Sequence, residues 1–319
     1  LTPAQFPYDG SWPHTYTSTG TFHLTITATG PGPNNCNDTR VFPVFNGSTP
    51  TGGITYDAGI LQGCKPHTIT FYLDGNAQNN APTTYYFFDF GDGTAPYTFT
   101  QETMPALFPD GKYHIVHTFD TASCSAPGNA FNLTHYIENP CSTVPNNVGG
   151  IKISEKSHSD FLRNEYPDDP ILVCAGVPRT YTNNTIEGCI IYAGAVYNNT
   201  NYYWDFYNDG SVESTDMNPV FTFPSPGTYQ VKLRSVTGEA IPNNCGDSVI
   251  IREVCVQDVP VADFSFTDPA PYCVNTPYTP ENSSTFQPAC ALPQYVWTVT
   301  PHSGFTFTSG SNGNSFEPT

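Results

Sequence analysis

The residues best suited to chemistry lie in Asp205-Phe206-Tyr207-Asn208-Asp209-Gly210 and the Glu213 that follows. Asp205, Asn208, Asp209 and Glu213 offer oxygen ligands at a spacing faintly like that of a calcium loop. The alternating series of a true calcium loop fails at Tyr207, so the same stretch also reads as a hairpin turn whose Asp side chains cap their own backbone. Both readings stay open here. Asp89 and Asp92 stand in the matching stretch upstream, Asp89-Phe90-Gly91-Asp92-Gly93, and carry fewer ligands. The histidines are His14, His23, His67, His114, His117, His135, His158 and His302. They form no His-Glu-x-x-His pattern, and the i,i+3 spacing of His114 and His117 puts them on opposite faces of a strand, which speaks against metalloenzyme chemistry. No Gly-x-Ser-x-Gly elbow, phosphate loop or dinucleotide fingerprint is present. The expectation is a chain that is not an enzyme.

Ten cysteines carry the other chemistry. No Cys-x-x-Cys or Cys/His knuckle spacing supplies zinc ligands, so they read as disulfides and imply an oxidising, extracytoplasmic setting. Registering the internal repeats pairs Cys64 with Cys124 and Cys174 with Cys245 as staples within domains. Cys141–Cys189 and Cys255–Cys290 would clamp neighbouring domains, with Cys189–Cys255 as a competing pairing. Cys36 and Cys273 are left without partners within this stretch.

The elements that must position these groups are strands. The chain repeats itself: Tyr86-Phe87-Phe88-Asp89-Phe90-Gly91-Asp92-Gly93 returns as Tyr203-Trp204-Asp205-Phe206-Tyr207-Asn208-Asp209-Gly210. Each copy precedes an apolar-alternating segment, Lys112–Phe119 or Gly227–Arg234, and then a cysteine. Alternation with period two means strands, and nothing has a sustained helical period. A further late half, His14-Thr15-Tyr16 with Gly20–Ala28, opens the chain, and a further early half, Tyr272-Cys273 with Tyr295-Val296-Trp297-Thr298, lies near its other end. The expected domains are therefore 1–49 (the later half of one), 50–153, 154–260 and 261–319 (the earlier half of one), as in one period of a tandem array.

Composition narrows the partners. With 38% hydrophobic residues and 26 glycines the chain can bury cores. Its net charge of −18, from 10 Lys and Arg against 28 Asp and Glu, disfavours nucleic acid and anionic membranes. No apolar run approaches the ~20 residues that span a bilayer, so any export signal or anchor is expected outside this stretch.

The aromatic-Asp-Phe-Gly-Asp-Gly strand end and the Gly-Thr-Tyr-x-Val-x-Leu strand resemble polycystic-kidney-disease (PKD) domains, which are immunoglobulin-like β-sandwiches. The likeness is strong at Asp89–Gly93, good at Asp205–Gly210 and weak at Trp297-Thr298-Val299. It implies an all-β array of sandwiches with Phe88, Phe90, Trp204 and Phe206 in the cores, and it allows calcium, since some PKD domains bind it. No other cofactor is expected. Outward members of Tyr85-Tyr86-Phe87-Phe88 and Tyr202-Tyr203-Trp204 leave carbohydrate binding open.

Asn-x-Ser/Thr triplets occur at Asn37, Asn46, Asn132, Asn183, Asn198 and Asn282. Asp120-Thr121-Ala122 and Asp247-Ser248-Val249 resemble the O-glycosylation signal of exported Bacteroidota proteins, with Thr121 and Ser248 as acceptors. The whole is similar to Bacteroidota surface adhesins and gliding-motility fibre proteins exported by the type IX system. The expected role is an extracellular, non-enzymatic segment of a cell-surface filament or adhesin stalk, stiffened by disulfides. Its partners would be other copies or further repeats of the chain, or a surface polysaccharide or other extracellular ligand. The alternative is the carbohydrate- or protein-binding accessory array of a secreted degradative enzyme.

Overall fold

A computed structural model describes residues 14–30, 36–165, 170–266, 273–286, 295–300, 303–304 and 306. The fold is all-β, built of tandem immunoglobulin-like sandwiches. Among the described residues helix is confined to short 3-10 turns.

The chain divides into two compact units, Leu1–Glu155 with Ile191–Val196, and Lys156–Ile190 with Tyr197–Thr319. The first opens with a long antiparallel ribbon, β1 (Gly20–Thr29) and β2 (Asn37–Asn46), running from Gly20↔Asn46 to Thr29↔Asn37. Then come β3 (Ile54–Tyr56), β4 (Gln62–Cys64), β5 (His67–Asp74), β6 (Tyr85–Asp89), β7 (Tyr97–Thr100), β8 (Lys112–Phe119), β9 (Phe131–Asn139), β10 (Ser142–Pro145) and β11 (Val148–Ser154). One sheet runs β4-β11-β9-β6-β7, with β10 also on β9, and the facing sheet runs β3-β5-β8. Alternating residues of both sheets close the core: Ile69, Phe71, Leu73 and Ile115 from one, Tyr86, Phe88, Leu133 and Ile137 from the other. Burial strictly alternates along Phe131–Asn139, the period-two pattern of a half-buried strand.

The second unit contains β12 (Ile171–Cys174), β13 (Arg179–Thr180), β14 (Ile190–Tyr192), β15 (Ala195–Tyr197), β16 (Thr200–Asp205), β17 (Val220–Phe221), β18 (Gly227–Thr237), β19 (Ser248–Gln257), β20 (Phe264–Phe266) and β21 (Pro280–Asn282); the β14–β15 hairpin is shared with the first unit. Its main sheet runs β12-β19-β18-β16, and β13 pairs with β17. Trp204, Phe206, Tyr181, Phe161, Val231 and Leu233 fill the core, so both copies of the motif set their aromatics where expected. Among the described residues the ribbon β20–β21, from Phe264↔Asn282 to Phe266↔Pro280, pairs with no further strand.

These topologies correct the strand alignment on which the cysteine pairing rested. The parallel pair β4–β11 followed by β9 and β6 matches β12–β19 followed by β18 and β16. The counterpart of β18 is therefore β9, not β8, which lies in the opposite sheet. Cys124 precedes β9, and Cys245 follows β18.

Cys64, Cys124, Cys189, Cys245 and Cys255 are disulfide-bonded, whereas Cys36, Cys141, Cys174 and Cys273 are free and exposed. Cys174–Cys245 does not form. Cys174 sits opposite Gln257 at one end of β19, while Cys245 precedes Ser248 at the other, roughly 30 Å away at ~3.3 Å per residue. The place beside Cys174 belongs to the segment after β17, where Gly176 N donates to Phe223 O at 2.8 Å, and Phe223-Pro224-Ser225-Pro226 contains no cysteine. Cys141–Cys189 is not formed either. Cys141 is free in the tight β9–β10 hairpin, its backbone N held by Asn139 Oδ1 at 2.9 Å.

Geometry also excludes the competing Cys189–Cys255 pair. Cys189 follows Gly188, whose N donates to Thr237 Oγ1, and Cys255 lies opposite Thr228, again roughly 30 Å along the strand, far beyond the ~7 Å Cα limit of a disulfide. Cys189 and Cys245 instead share the β18–β19 end of the sheet. In the first sandwich, Cys64 lies opposite Ser154 and Ser123 N donates to Ile153 O at 2.9 Å, so Cys64 and Cys124 flank one end of β11. Cys290 lies outside the described residues.

Candidate functional site: the acidic turn after β16

β16 delivers Asp205 to the sheet end because Tyr202 and Trp204 must face the core. The chain then reverses through Asn208, which adopts the left-handed region at φ 50°, a conformation that Asn tolerates better than most side chains. Asp205, Asp209 and Glu213 each bring a carboxylate oxygen to within 4.8 Å of the others. The structure thus gathers three of the four residues expected to hold calcium, with the nearly buried Asp205 at the centre.

Those oxygens already hold the turn together. Asp205 Oδ1 accepts from Asp209 N at 3.1 Å, and its Oδ2 accepts from Gly210 N at 3.0 Å. Glu213 Oε2 accepts from Phe206 N at 2.7 Å, and Asp209 Oδ1 accepts from Ser211 N at 2.8 Å. The latter bond holds the Asp209 carboxyl below the usual carboxylate range. Lys232 Nζ stands 3.4 Å from Asp205 Oδ2 and supplies positive charge where a cation would sit. Nothing in the sequence near Asp205 announces Lys232; the β16–β18 pairing, Asp205↔Lys232, brings it there. The donor set suits a hard cation, but its chemistry as folded is that of a self-capped turn.

The matching turn in the first sandwich works differently. Asp89 Oδ1 accepts from Gly91 N at 2.9 Å. Asp92 Oδ1 accepts from Thr94 N and Thr94 Oγ1, and its Oδ2 pairs with His117 Nε2 at 2.8 Å. Burial raises the Asp92 pKa, but the hydrogen bonds from Thr94 and His117 outweigh it and hold the carboxyl low. His117 comes from β8 in the opposite sheet and stacks on Phe90 at 3.8 Å. This pair ties the two sheets together, and a separation of 25 residues hides it from motif reading.

The aromatic runs split as alternation requires. Tyr86, Phe88, Tyr202 and Trp204 are buried. On the outer face Phe87 stacks on Tyr136 at 4.8 Å, and Tyr85 lies 6.3 Å from Tyr136. Tyr203 carries the Arg234 guanidinium 4.0 Å above its ring.

Of the acceptor residues, Thr121 is exposed in a turn. Ser248 is the first residue of β19, and its Oγ accepts from Ser159 N at 3.0 Å while its carbonyl accepts from Ser159 Oγ. Asn37, Asn132 and Asn198 are exposed. Asn46 Nδ2 donates to Ser18 O, Asn183 Nδ2 is buried, and Asn282 Oδ1 accepts from Ser284 N.

No family model matches the chain, and no curated protein does. Solved structures give distant likenesses. The fibronectin(III)-like modules of Clostridium thermocellum CbhA align at 11% identity and TM-score 0.23, covering 64% of this chain and 94% of that one. An I-band fragment of titin aligns at 8% and 0.28, covering 79% and 80%. The insect immune protein hemolin aligns at 14% and 0.34, covering 74% and 56%.

Proposed function

We propose that the chain is a non-enzymatic extracellular structural and adhesive element, a stretch of cell-surface filament or stalk made of PKD-type sandwiches, of the kind that Bacteroidota export through the type IX system. The observation that carries this reading is how the chemistry-bearing side chains are employed. The carboxylates of both Asp-Gly turns cap backbone N–H groups or lock sheet to sheet, and Cys64, Cys124, Cys189, Cys245 and Cys255 are drawn into disulfides. Side chains so used stiffen domains. In this role the partners are further repeats or copies of the chain, and calcium, if bound at Asp205, Asp209 and Glu213, would reinforce the same turn.

Small-angle scattering tests the stalk. A compact chain of this length has a radius of gyration of roughly 20 Å, and a stiff row of sandwiches must exceed it well. A value near the compact one overturns the reading. The second reading, a polysaccharide-binding array, is favoured by the outward Tyr85, Phe87 and Tyr136, whose rings could take up a sugar face. Pull-down on insoluble polysaccharides, with Phe87→Ala and Tyr136→Ala as controls, decides it.

A further inference from the structure

The turn after β16 brings together an amine, a buried carboxyl group and a second carboxyl group. Lys232 on β18 lies directly opposite Asp205 on β16, and such partners have Cβ atoms about 5 Å apart. Lys232 Nζ approaches Asp205 Oδ2 at 3.4 Å, where the Asp205 side chain is 4% exposed and that of Lys232 29%. The carboxyl group that meets the amine is therefore cut off from water. Glu213 reaches the same place. One of its carboxylate oxygens lies within 4.8 Å of one of Asp205, and the Phe206 N–H fixes its Oε2 at 2.7 Å.

The backbone completes the arrangement. Asn208 and Gly210 take positive φ, 50° and 96°, and the N–H groups of Asp209 and Gly210 point at Asp205 Oδ1 and Oδ2, at 3.1 and 3.0 Å. Fixed N–H donors on a carboxyl group also suit the charge that develops on its oxygens when the carbon becomes tetrahedral. As an ion pair alone the site has little to recommend it, because the cost of desolvating a carboxylate offsets most of what a lysine beside it contributes. In the first sandwich the residue matching Asp205 is Asp89, and Thr134 stands opposite it, so the amine is missing there.

We propose that Lys232 and Asp205 condense into an isopeptide bond, a covalent cross-link between β16 and β18 that forms with no other reagent. Glu213 takes a proton from the Lys232 ammonium, directly or through one water, and the neutral amine attacks Asp205 Cγ. In the tetrahedral adduct Oδ1 carries negative charge under the Asp209 N–H. Oδ2 then leaves as water, with the proton held by Glu213 and a second from the attacking nitrogen. One ammonium and one carboxylate thus become one amide and one water. A C–N bond forms, a C–O bond breaks, and nothing is oxidised or reduced. Between free groups in water the amide is the disfavoured side. Well-oriented neighbours reach effective molarities of roughly 10⁵–10⁸ M, and the product relieves the site of a buried carboxylate. The bond ties the edge strand β16 to β18, and it stands whether or not the chain forms a stalk.

Intact-mass spectrometry of the reduced, denatured chain tests this, because ion pairs vanish there and an amide does not. The chain should be lighter than its sequence by one water. Trypsin should fail at Lys232, so that the peptide beginning at Thr180 ends at Arg234 instead. Lys232→Arg should restore the full mass. Glu213→Gln can still accept from the Phe206 N–H, and it should slow the loss of water after refolding by roughly 100-fold or more. A parent chain at full mass whose Lys232 is cut by trypsin overturns the proposal without any variant. A loss of water that survives Lys232→Arg belongs to a succinimide at an Asp-Gly step such as Asp209-Gly210 and overturns it too. A Glu213→Gln chain that reacts at the parent's rate removes Glu213 from the mechanism and overturns it as stated.

Discussion

His135 sits fully buried on β9, its Nδ1–H donating to Phe87 O at 2.8 Å and its ring stacked on Phe88 at 4.1 Å. Its Nε2 has no partner. Burial pushes its pKa down to about 4, against the pull of the Phe87 carbonyl. The unfolded chain then takes up a proton below pH ~6.5 that the folded chain refuses until near 4, so stability is full above 6.5 and falls as pH drops between these values, by up to about 3 kcal/mol. Asp92 has the opposite kind of group with the same outcome at lower pH. Its folded pKa is depressed, so its contribution is present above the usual carboxylate range and is lost only as pH falls through the lowered value. Urea unfolding at pH 7 and pH 5 should show a drop that His135→Phe largely removes, at a cost of about 1 kcal/mol at pH 7 for the lost hydrogen bond. An unchanged drop in that variant would assign the titration to another group. Neither role was legible in the sequence, where His135 is one histidine among eight and only the β6–β9 register puts it under Phe88.

At the scale of elements, cysteines separate what pattern matching can and cannot find. Lys112–Phe119 and Gly227–Arg234 look alike because both alternate apolar and polar residues after an Asp-Gly turn. Alternation reports one buried face and is silent about which sheet supplies the neighbour. β8 pairs with β5 and β18 with β16 and β19, so cysteines that looked equivalent lie at opposite ends of their sheets. The expected consequence is that Cys124→Ser costs about 2–5 kcal/mol in denaturant titration, whereas Cys174→Ser, a free and exposed position, changes stability by less than about 0.5 kcal/mol. A large loss at Cys174 would mean that it is bonded after all. The motif strands were read correctly because their constraint is local: Trp204 and Phe206, or Phe88 and Phe90, are too large and apolar to stay in water.

For the whole molecule the formal net charge is −18, so copies of the chain repel one another most strongly at low salt. Small-angle scattering should show repulsion between chains at roughly 0.02 M salt that fades by roughly 0.3 M, because the Debye length shrinks to well under the width of a domain. Repulsion that stays unchanged between the two salt levels would mean that the net charge is not its cause. The two turn clusters also belong to this scale: one gathers Asp205, Asp209 and Glu213 under Lys232, the other locks Asp92 to His117, so a single repeated sentence of sequence holds two sandwiches by different bonds.

The sequence by itself determined the all-β class, the repeated motif and which aromatics face inward, because period-two burial and turn chemistry act between near neighbours. The tertiary structure decided which strands share a sheet, which cysteines meet and what each carboxylate does. Those depend on pairing across long loops, where any two alternating strands satisfy the local rules equally well and only the closing of a common core selects between them.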